Sequence, residues 1–303
     1  MRHGGQRGAA LIVAMLIAAL AATVAVSLAA SQQQWFASVA QRRDQVQAQA
    51  LAQAGVQWAR QILFEDARTT QIDHLGEPWA FPLPSTPIED GSIEGRIVDA
   101  QGLLNVNNLV GSQALLERTR FERLFARLGV PVAALDAITD WIDADSITRP
   151  TGAEDAWYAQ QASPMLAANA PVTRTAELAL VRGLSPEAVR ALAPYVIALP
   201  GETALNVNTA PPAVLAAAVK GLPDAALPGL IADRARKPFA GIQEFRSRLP
   251  QGASLDQETA LDFRSAYFLV TVRARQGTSQ ANVRALVKRS GGGWPAVVWQ
   301  TLE

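Results

Sequence analysis

The densest group of chemically reactive side chains lies in the stretch DWIDADSITRPTGAEDAWY, residues 140–158. Its carboxylates are Asp140, Asp143, Asp145, Glu154 and Asp155. So many like charges on one short segment repel one another unless a cation lies between them. Carboxylate oxygens suit Ca²⁺, which takes about six to eight oxygen ligands, including backbone carbonyls. The first interpretation of this stretch is therefore a calcium site.

Two other interpretations of the acidic stretch remain open. Counting Asp143 as position 1 of an EF-hand loop places Asp145 at position 3 and Glu154 at position 12. Ile147 and Thr148, however, stand where that loop needs a ligand and a glycine, so this is not an EF-hand. The same carboxylates also suit an acidic surface loop with helix caps, or a glycosidase-like pair that has no recognisable sugar site.

The rest of the composition argues against an enzyme. The chain has no cysteine, which excludes thiol catalysis and zinc–thiolate sites. Its two histidines are His3 and His74. His74 lies in an irregular stretch beside Gly76 and Pro78, which is a poor place for a serine–histidine–acid mechanism. No convincing catalytic site remains, so we expect a non-enzymatic protein. Basic and acidic residues balance at 27 each, so a nucleic-acid partner is not expected.

A long N-terminal helix is the first element that must position these residues. From Ala9 to Ala30 no residue is charged, and a helix of that length spans about 33 Å, enough to cross a bilayer. Beyond it, apolar residues recur at helical spacing, and no proline occurs before Pro78. These residues, here named the apolar stripe, are Trp35, Val39, Val46, Ala50, Ala54, Trp58 and Ile62. We expect one continuous helix that spans the membrane at 9–30 and packs on a soluble domain through the stripe at 31–66.

The charges that flank the apolar run predict its orientation. Arg2 and Arg7 precede the run, and the next basic pair, Arg42 and Arg43, lies well beyond it. Positive residues favour the cytoplasmic side, so we expect a single pass through a bacterial inner membrane, with a cytoplasmic N-terminus and a periplasmic C-terminal domain. A cleaved secretory signal has a shorter apolar region, about 7–15 residues, whereas the helical pattern here continues. An ordinary single-pass anchor is the remaining alternative.

Beyond the helix, the pattern predicts an α+β domain that is interrupted by helices. A proline-rich connector, HLGEPWAFPLPSTPIEDGS, precedes a predicted hairpin in which Ile93 and residues 96–98 and 103–106 are strand-like, with the turn near DAQG. Helical sequence follows, and the chain closes with two or three segments that alternate as antiparallel strands. Strands on both sides of the helices indicate an inserted helical domain.

Two short segments are similar to each other, GLLNVNNL at 102–109 and ALNVNTAP at 204–211. Their asparagines, such as Asn206, are interpreted as turn and cap residues. The second segment and its following helices resemble helix–hairpin–helix or sterile-alpha-motif-like modules, in which a glycine-rich hairpin presents N–H groups to phosphate. Here KGLPDAALPG takes that place, with Asp224 and two prolines that weaken such a role. A membrane-anchored DNA-binding or uptake protein is therefore the alternative function.

The boundary between RG and AALIV resembles the leader of the type IV pilin and pseudopilin class, in which a prepilin peptidase cuts after the glycine. The resemblance implies that residues 1–8 are removed after Gly8 and that the mature chain begins at Ala9. Most of that class carry glutamate at the fifth mature position, which is Val13 here. That glutamate is thought to pair with the amino terminus of the neighbouring subunit nearer the tip, so its absence fits a tip subunit.

A more specific resemblance covers nearly the whole chain. The order of leader, Ala-rich helix, Trp-Ile-Asp-x-Asp, Gly-Ala-Glu-Asp, Pro-Tyr-Val and Leu-Asn-Val-Asn-Thr-Ala is similar to that of the minor pseudopilin K family of type II secretion. The resemblance implies calcium bound by the carboxylates of residues 140–155 and a tip complex with the minor pseudopilins I and J. It also implies contact with pseudopilin H, the major pseudopilin G filament and inner-membrane lipid, and a role in exporting folded proteins across the outer membrane.

The expected fold class is α+β. A long N-terminal transmembrane helix packs on an antiparallel sheet, the pseudopilin fold, and carries a large inserted all-α domain of SAM-like or helix–hairpin–helix type. The pseudopilin core is assigned to residues 67–110 and 263–303, and the inserted domain to residues 111–262.

Overall fold

The computed structural model describes residues 6–256 and 260–302, with side chains from Ala9 onward, so residues 1–5 of the predicted leader lie outside the described residues. Its helices are α1 (Gln6–Thr69), α2 (Ala114–Leu128), α3 (Ala134–Ile142), α4 (Asp155–Tyr158), α5 (Pro186–Leu192), α6 (Pro212–Ala218), α7 (Leu227–Arg236) and α8 (Ile242–Ser247). Its strands are β1 (Leu83–Ile88), β2 (Gly91–Asp99), β3 (Leu104–Asn105), β4 (Val196–Ile197), β5 (Leu205–Asn206), β6 (Val219–Lys220), β7 (Ser254–Leu255), β8 (Leu261–Asp262), β9 (Tyr267–Gln276), β10 (Ser279–Lys288) and β11 (Ala296–Leu302).

Helix α1 is the continuous helix that the sequence predicts, and it has 64 residues. It forms because good helix formers dominate this stretch and the first proline comes after its end. Among the described residues it is the one helix long and apolar enough to cross a membrane. Residues 9–43 are all exposed in the isolated chain, so this half adds no buried side chain to the folded domain.

The face of α1 that packs on the sheet differs from the predicted one. The buried positions are Ala48, Ala52, Val56, Ala59 and Leu63. Val46, Ala50, Ala54 and Trp58 of the apolar stripe are exposed, and Ile62 is half-buried. At 100° per residue the exposed positions point away from the buried ones. The prediction that the stripe packs on the domain is therefore wrong, because small alanines let the helix lie close to the sheet.

The sheet has five strands in the order β1-β2-β9-β10-β11, and every neighbouring pair is antiparallel. Alternate residues of its central strands face α1 and form one core with it, Val272 and Val283 among them. Gly55 sets the closest approach, since a Cβ there would lie 2.7 Å from Val272 Cγ1 and 2.9 Å from Ile93 Cδ1. The expected α+β class, with a long helix packed on an antiparallel sheet, is confirmed.

Two local predictions around β2 need correction. The proline-rich connector contains strand β1, which is possible because β1 is an edge strand and Pro84 and Pro87 need not donate to a second neighbour. The predicted hairpin is wrong: β2 pairs with β1 and β9, whereas β3 pairs in parallel with β4. Between them, Ala100–Gly102 form a buried 3-10 turn capped by the Asp99 carboxylate. The chain leaves the sheet at this turn.

The segment between β2 and β9 forms a second, larger hydrophobic core. Its buried apolar side chains run from Leu104 to Leu261 and come from helices α2 to α8, from the short strands and from the loops between them. The expected limits of the inserted domain, residues 111 and 262, and its SAM-like character stay predictions.

The two asparagine-containing segments take equivalent places in two units of this core. β3 pairs in parallel with β4, and β5 pairs in parallel with β8. In the first unit the Asn107 amide donates to the carbonyls of Val172 and Leu199 and accepts from the Val172 N–H. In the second, the Asn208 amide donates to the Phe239 carbonyl and accepts from the Phe239 N–H. These contacts support the interpretation of the asparagines as structural residues.

A buried ionic network joins α1, the sheet and the helical region. Arg289, which follows β10, donates to Asp66 at 2.7 Å and to Asp73 at 2.6 Å. Asp99, the last residue of β2, accepts from the Thr209 hydroxyl of the helical region at 2.6 Å. Burial raises the pKa of Asp66 and that of Asp99 to about 6 each.

Candidate functional site

The acidic loop, residues 140–155, begins on α3, and Asp140 is its innermost carboxylate. Asp140 lies in the last turn of α3 and is fully buried. Its Oδ1 accepts a hydrogen bond from Arg149 Nη1 at 2.6 Å, and its Oδ2 accepts from the Arg149 backbone N–H at 3.1 Å. Gly152 packs against the same carboxylate, since a Cβ there would lie 1.8 Å from Asp140 Oδ2. The loop therefore folds back tightly over the end of α3.

Three of the five predicted metal ligands come together in this loop. One carboxylate oxygen from each of Asp143, Asp145 and Glu154 lies within 4.8 Å of the other two. Asp143 Oδ1 and both Glu154 carboxylate oxygens are buried and have no hydrogen-bond partner among the described residues. Carboxylate oxygens that lose water without gaining a donor are costly to bury. A positive charge placed at this end of the loop would therefore stabilise these carboxylates.

The pKa of Glu154 reflects the same lack of positive charge. Burial, reinforced by the negative charges of the other four predicted ligands, raises the pKa of Glu154 to about 7. Burial also raises the pKa of Asp143, although Arg149 Nη1 lies 2.5 Å from Asp143 Oδ2. One guanidinium is thus too little positive charge for this group of carboxylates.

The other two predicted ligands, Asp140 and Asp155, are turned toward protein donors. Asp155 is the first residue of α4, and its Oδ1 accepts from the Ala167 N–H at 2.8 Å. Asp140 is held by Arg149 as described above. The structure brings Asp143, Asp145 and Glu154 together and leaves these two at the edges of the group.

Sequence reasoning missed two residues that shape the loop. Arg149 bridges Asp140 and Asp143 through its Nη1. Asp136, on α3, accepts from the Thr151 N–H at 3.0 Å and from the Thr151 hydroxyl at 2.7 Å, which ties the loop to α3. A single arginine inside an acidic run was the available signal for Arg149. No local pattern pointed to Asp136, because its partner is 15 residues away.

The donor set of the acidic loop fits Ca²⁺. The convergent group consists of carboxylates alone, whereas Zn²⁺ sites favour cysteine and histidine. A second acidic group, Asp66, Asp73 and Glu77, lies at the end of α1. Arg289 already forms ion pairs with Asp66 and Asp73, so this second group is largely neutralised within the protein.

The exposed side of α1 is the second feature that bears on function. Along the apolar stripe, 62% of Trp35, 64% of Val46 and 51% of Trp58 is exposed. The stripe leads into a groove of about 390 Å³ between α1 and strands β1 and β2, which Trp58, Ile62 and Phe81 help to line. Arg42 and Arg43 interrupt the stripe between Val39 and Val46. An exposed apolar surface such as the one from Val46 to Trp58 is typical of a site that contacts another protein or a membrane.

The residues implied by the pilin-like leader lie in the first turns of α1. Gly8, Ala9 and Val13 all belong to this helix, and Val13 is exposed. Cleavage after Gly8 and the meaning of Val13 stay predictions.

Comparison with known proteins connects these features. The family described as "Type II secretion system (T2SS), protein K" matches residues 205–264, and its first-domain model matches residues 102–201. Type II secretion system protein K of Pseudomonas aeruginosa is 32% identical to this chain over 95% of the chain and 90% of the relative. The chain belongs to the type II secretion system protein K family. Protein K of Pectobacterium carotovorum subsp. carotovorum is 31% identical, covering 94% of this chain and 93% of its own length.

The fold is shared with a solved structure, the GspK–GspI–GspJ complex from the type 2 secretion system of enterotoxigenic Escherichia coli. One chain of it matches with a TM-score of 0.75 at 24% sequence identity, covering 90% of this chain and 98% of that chain. Protein K is a structural, non-enzymatic component of the secretion system, so the expectation of a non-enzyme is confirmed by family membership. The same membership favours the secretion interpretation over the DNA-binding alternative.

Proposed function

We propose that this protein K is a minor pseudopilin at the tip of the type II secretion pseudopilus, where it forms a complex with the minor pseudopilins I and J. In this position it supports the export of folded proteins across the outer membrane. The observation that carries the proposal is the exposed apolar stripe on α1, which follows the membrane-length segment, is interrupted at Arg42 and Arg43, and resumes from Val46 to Trp58. The relative of known structure was solved in complex with GspI and GspJ, which supports the choice of partners.

The chemistry of the stripe indicates what covers it. Val46, Ala50, Ala54 and Trp58 form an uncharged surface that points away from the sheet. Because this surface lies on the same helix as the membrane-length segment, a partner helix that runs along α1 would be anchored in the same membrane. The N-terminal helix of another membrane-anchored pseudopilin meets this requirement, and the groove beside Trp58 receives its far end.

A place at the tip follows from Val13. Glutamate at this position would have to be paired inside an apolar helix bundle, because an isolated carboxylate is costly there. A subunit with no neighbour nearer the tip has no amino terminus to pair with, so valine is suitable. We propose that pseudopilin H and the filament of the major pseudopilin G lie on the membrane side of this subunit.

Processing and topology complete the proposal. A prepilin peptidase removes residues 1–8, so the mature chain starts at Ala9, and α1 crosses the inner membrane with its N-terminus in the cytoplasm and the folded domain in the periplasm. Mass spectrometry of the chain purified from membranes tests this: a mature N-terminus at Ala9 is expected, and retention of Met1 would contradict it.

We also propose that the acidic loop binds calcium. Asp143, Asp145 and Glu154 would hold the ion, with Asp140 and Asp155 available at the edges. When bound, the ion supplies the positive charge that the buried, unpartnered oxygens of Asp143 and Glu154 lack. The loop then holds α3 and α4 together, and calcium stabilises the inserted helical region of the tip subunit.

Co-purification tests the tip-complex proposal. A fragment that begins at Gln34 keeps every buried residue, because residues 9–43 are exposed, so it is expected to fold. It should co-purify with the soluble parts of I and J, whereas Ala54→Glu with Trp58→Glu should weaken the complex at least about tenfold by placing charges on the stripe. Gln53→Glu, at an exposed neighbouring position, is the matched control. Failure of the unaltered fragment to bind I or J would contradict the proposal.

A further inference from the structure

We propose that Arg149 is a built-in counter-ion of the acidic loop, which occupies the loop in the absence of metal and swings out when a divalent cation enters. The inference rests on the proposed calcium binding and assigns its regulation to a residue of this chain. Arg149 Nη1 lies 2.6 Å from Asp140 Oδ1 and 2.5 Å from Asp143 Oδ2. It thus holds two of the five carboxylates through a single nitrogen.

The contacts of Arg149 show why it occupies this place. Asp140 is fully buried, and a buried carboxylate without a positive partner is strongly destabilising. The Arg149 backbone N–H donates to the other oxygen of Asp140 at 3.1 Å, so the main chain and the side chain of Arg149 both bind the Asp140 carboxylate. Without metal, the guanidinium is the charge that lets the loop close over α3.

The arrangement also leaves the loop half-neutralised. The guanidinium donates to Asp140 and Asp143 but to neither Asp145 nor Glu154. Both Glu154 oxygens therefore remain without a partner among the described residues. The nearby Arg182 does not supply the missing charge, because it donates to the Gly152 carbonyl at 2.8 Å and lies over the Trp157 ring. A divalent cation neutralises more of the group than one arginine does.

Arg149 and a cation cannot share the group without cost. Both bear positive charge, and both would bind the carboxylate of Asp143. The guanidinium and the cation would then be close together, so their repulsion would be strong. The Arg149 side chain is 33% exposed, whereas Asp140 is 0% exposed. The arginine therefore has a path into water, and the aspartate does not.

Two closed states of the loop follow from this competition. In one, Arg149 holds Asp140 and Asp143; in the other, the cation holds the carboxylates and Arg149 lies in solvent. Because the cation must displace an existing ion pair, Arg149 lowers the affinity of the site, and the loop remains folded when calcium is removed.

Calcium titration of the full-length protein in detergent, by isothermal calorimetry, tests the inference. Arg149→Gln should bind Ca²⁺ about tenfold or more tightly than the unaltered protein, because a competing positive charge is gone. In chelator the same variant should melt at a lower temperature, since Asp140 loses its partner. Arg149→Lys keeps the charge and should retain an affinity close to that of the unaltered protein. The matched control is Arg123→Gln, which removes a similarly exposed arginine paired with Asp256, away from the loop.

A second measurement needs no variant and guards against failure of Arg149→Gln to fold. Phenylglyoxal modifies accessible guanidinium groups, and mass spectrometry locates the modified arginine. Arg149 should react several-fold faster in calcium than in chelator, whereas Arg123 should react equally in both.

The outcomes separate the two proposals. Absence of calcium binding by the unaltered protein would overturn the metal site itself. Calcium binding with equal or weaker affinity in Arg149→Gln, or equal Arg149 modification in calcium and chelator, would overturn the counter-ion role and leave the metal site standing.

Discussion

Asp143 and Glu154 present three buried carboxylate oxygens that no protein donor satisfies among the described residues. Such atoms weaken the folded state unless a cation reaches them. Metal binding at these residues is therefore coupled to the stability of the protein. An ion that binds the folded loop and not the unfolded chain stabilises the fold by mass action.

Calcium should raise the melting temperature of the fragment that begins at Gln34. At free calcium a hundredfold above the dissociation constant, the added stability is about 2.7 kcal/mol. Asp143→Ala with Glu154→Ala should abolish the difference between calcium and chelator in a thermal melt. Glu187→Ala with Asp233→Ala, which removes two surface carboxylates from ion pairs on other helices, should preserve it. An unaltered protein that melts identically in calcium and chelator would rule out the metal site.

Gly152→Ala should disrupt the loop without removing any charge. The new methyl group would fall 1.8 Å from Asp140 Oδ2, so the loop must move, at a cost of about 1–3 kcal/mol in the free energy of unfolding. Urea denaturation measures the loss, and the calcium-induced shift should shrink with it. Gly229→Ala, on α7 with nothing within 4 Å of the new Cβ, is the control and should be neutral or slightly stabilising. Equal stability of the two variants would refute the packing argument.

At this scale the sequence predicted the right kind of site but not its internal partners. The concentration of negative charges in one stretch is evident from the sequence, and Asp143, Asp145 and Glu154 do converge in the structure. The pairing of Arg149 with Asp140 depends on how the loop folds back, which charge patterning alone does not specify.

Among the elements, α1 determines the arrangement of both functional surfaces. Its length and continuity follow from helix-forming composition and the absence of proline, and were predictable. Its inward face was not, because alanines pack inward where Gly55 brings α1 near the sheet, and the larger apolar residues are left outside. The hairpin prediction failed for a similar reason: parallel pairing of β3 with β4 joins segments far apart in the chain, which a local pattern cannot reveal.

Gly55→Val should destabilise the packing of α1 on the sheet. Its Cβ would lie under 3 Å from side-chain atoms of Val272 and Ile93, and we expect a loss of about 1–3 kcal/mol in the free energy of unfolding. Ala54→Val introduces the same residue at the adjacent exposed position and should cost less than about 1 kcal/mol. Chemical denaturation of the two fragments measures the difference. Similar losses at both positions would contradict the close contact.

The whole molecule is held together at the network of Arg289, Asp66, Asp73 and Asp99, where α1, the sheet and the helical region meet. The pKa values of Asp66 and Asp99 are about 6 in the folded protein, above the ordinary value of 3.8. Each carboxyl group therefore binds its proton more tightly when the protein is folded.

Stability in saturating calcium should rise as the pH falls from 7.5 to 5. In this window the folded state binds more protons than the unfolded state, so the free energy of unfolding increases, on the order of 1–2 kcal/mol for each group. Asp66→Asn should flatten the dependence, because the amide does not titrate and its oxygen still accepts from Arg289. Urea denaturation at the two pH values measures both effects. A stability that falls over this range, or an unchanged slope in the variant, would contradict the raised pKa values.

The central claim is that other minor pseudopilins cover the exposed side of α1. Because the chain has no cysteine, single cysteines can be introduced and labelled with a benzophenone maleimide in the full-length protein, which is then incorporated with I and J into membranes and illuminated. Cross-links to I or J are predicted from Val46→Cys and Ala54→Cys on the apolar stripe, and not from Arg190→Cys, an exposed position on α5. If the stripe positions give no cross-link to I or J while the proteins still co-purify, the partners lie elsewhere and the account of α1 is wrong.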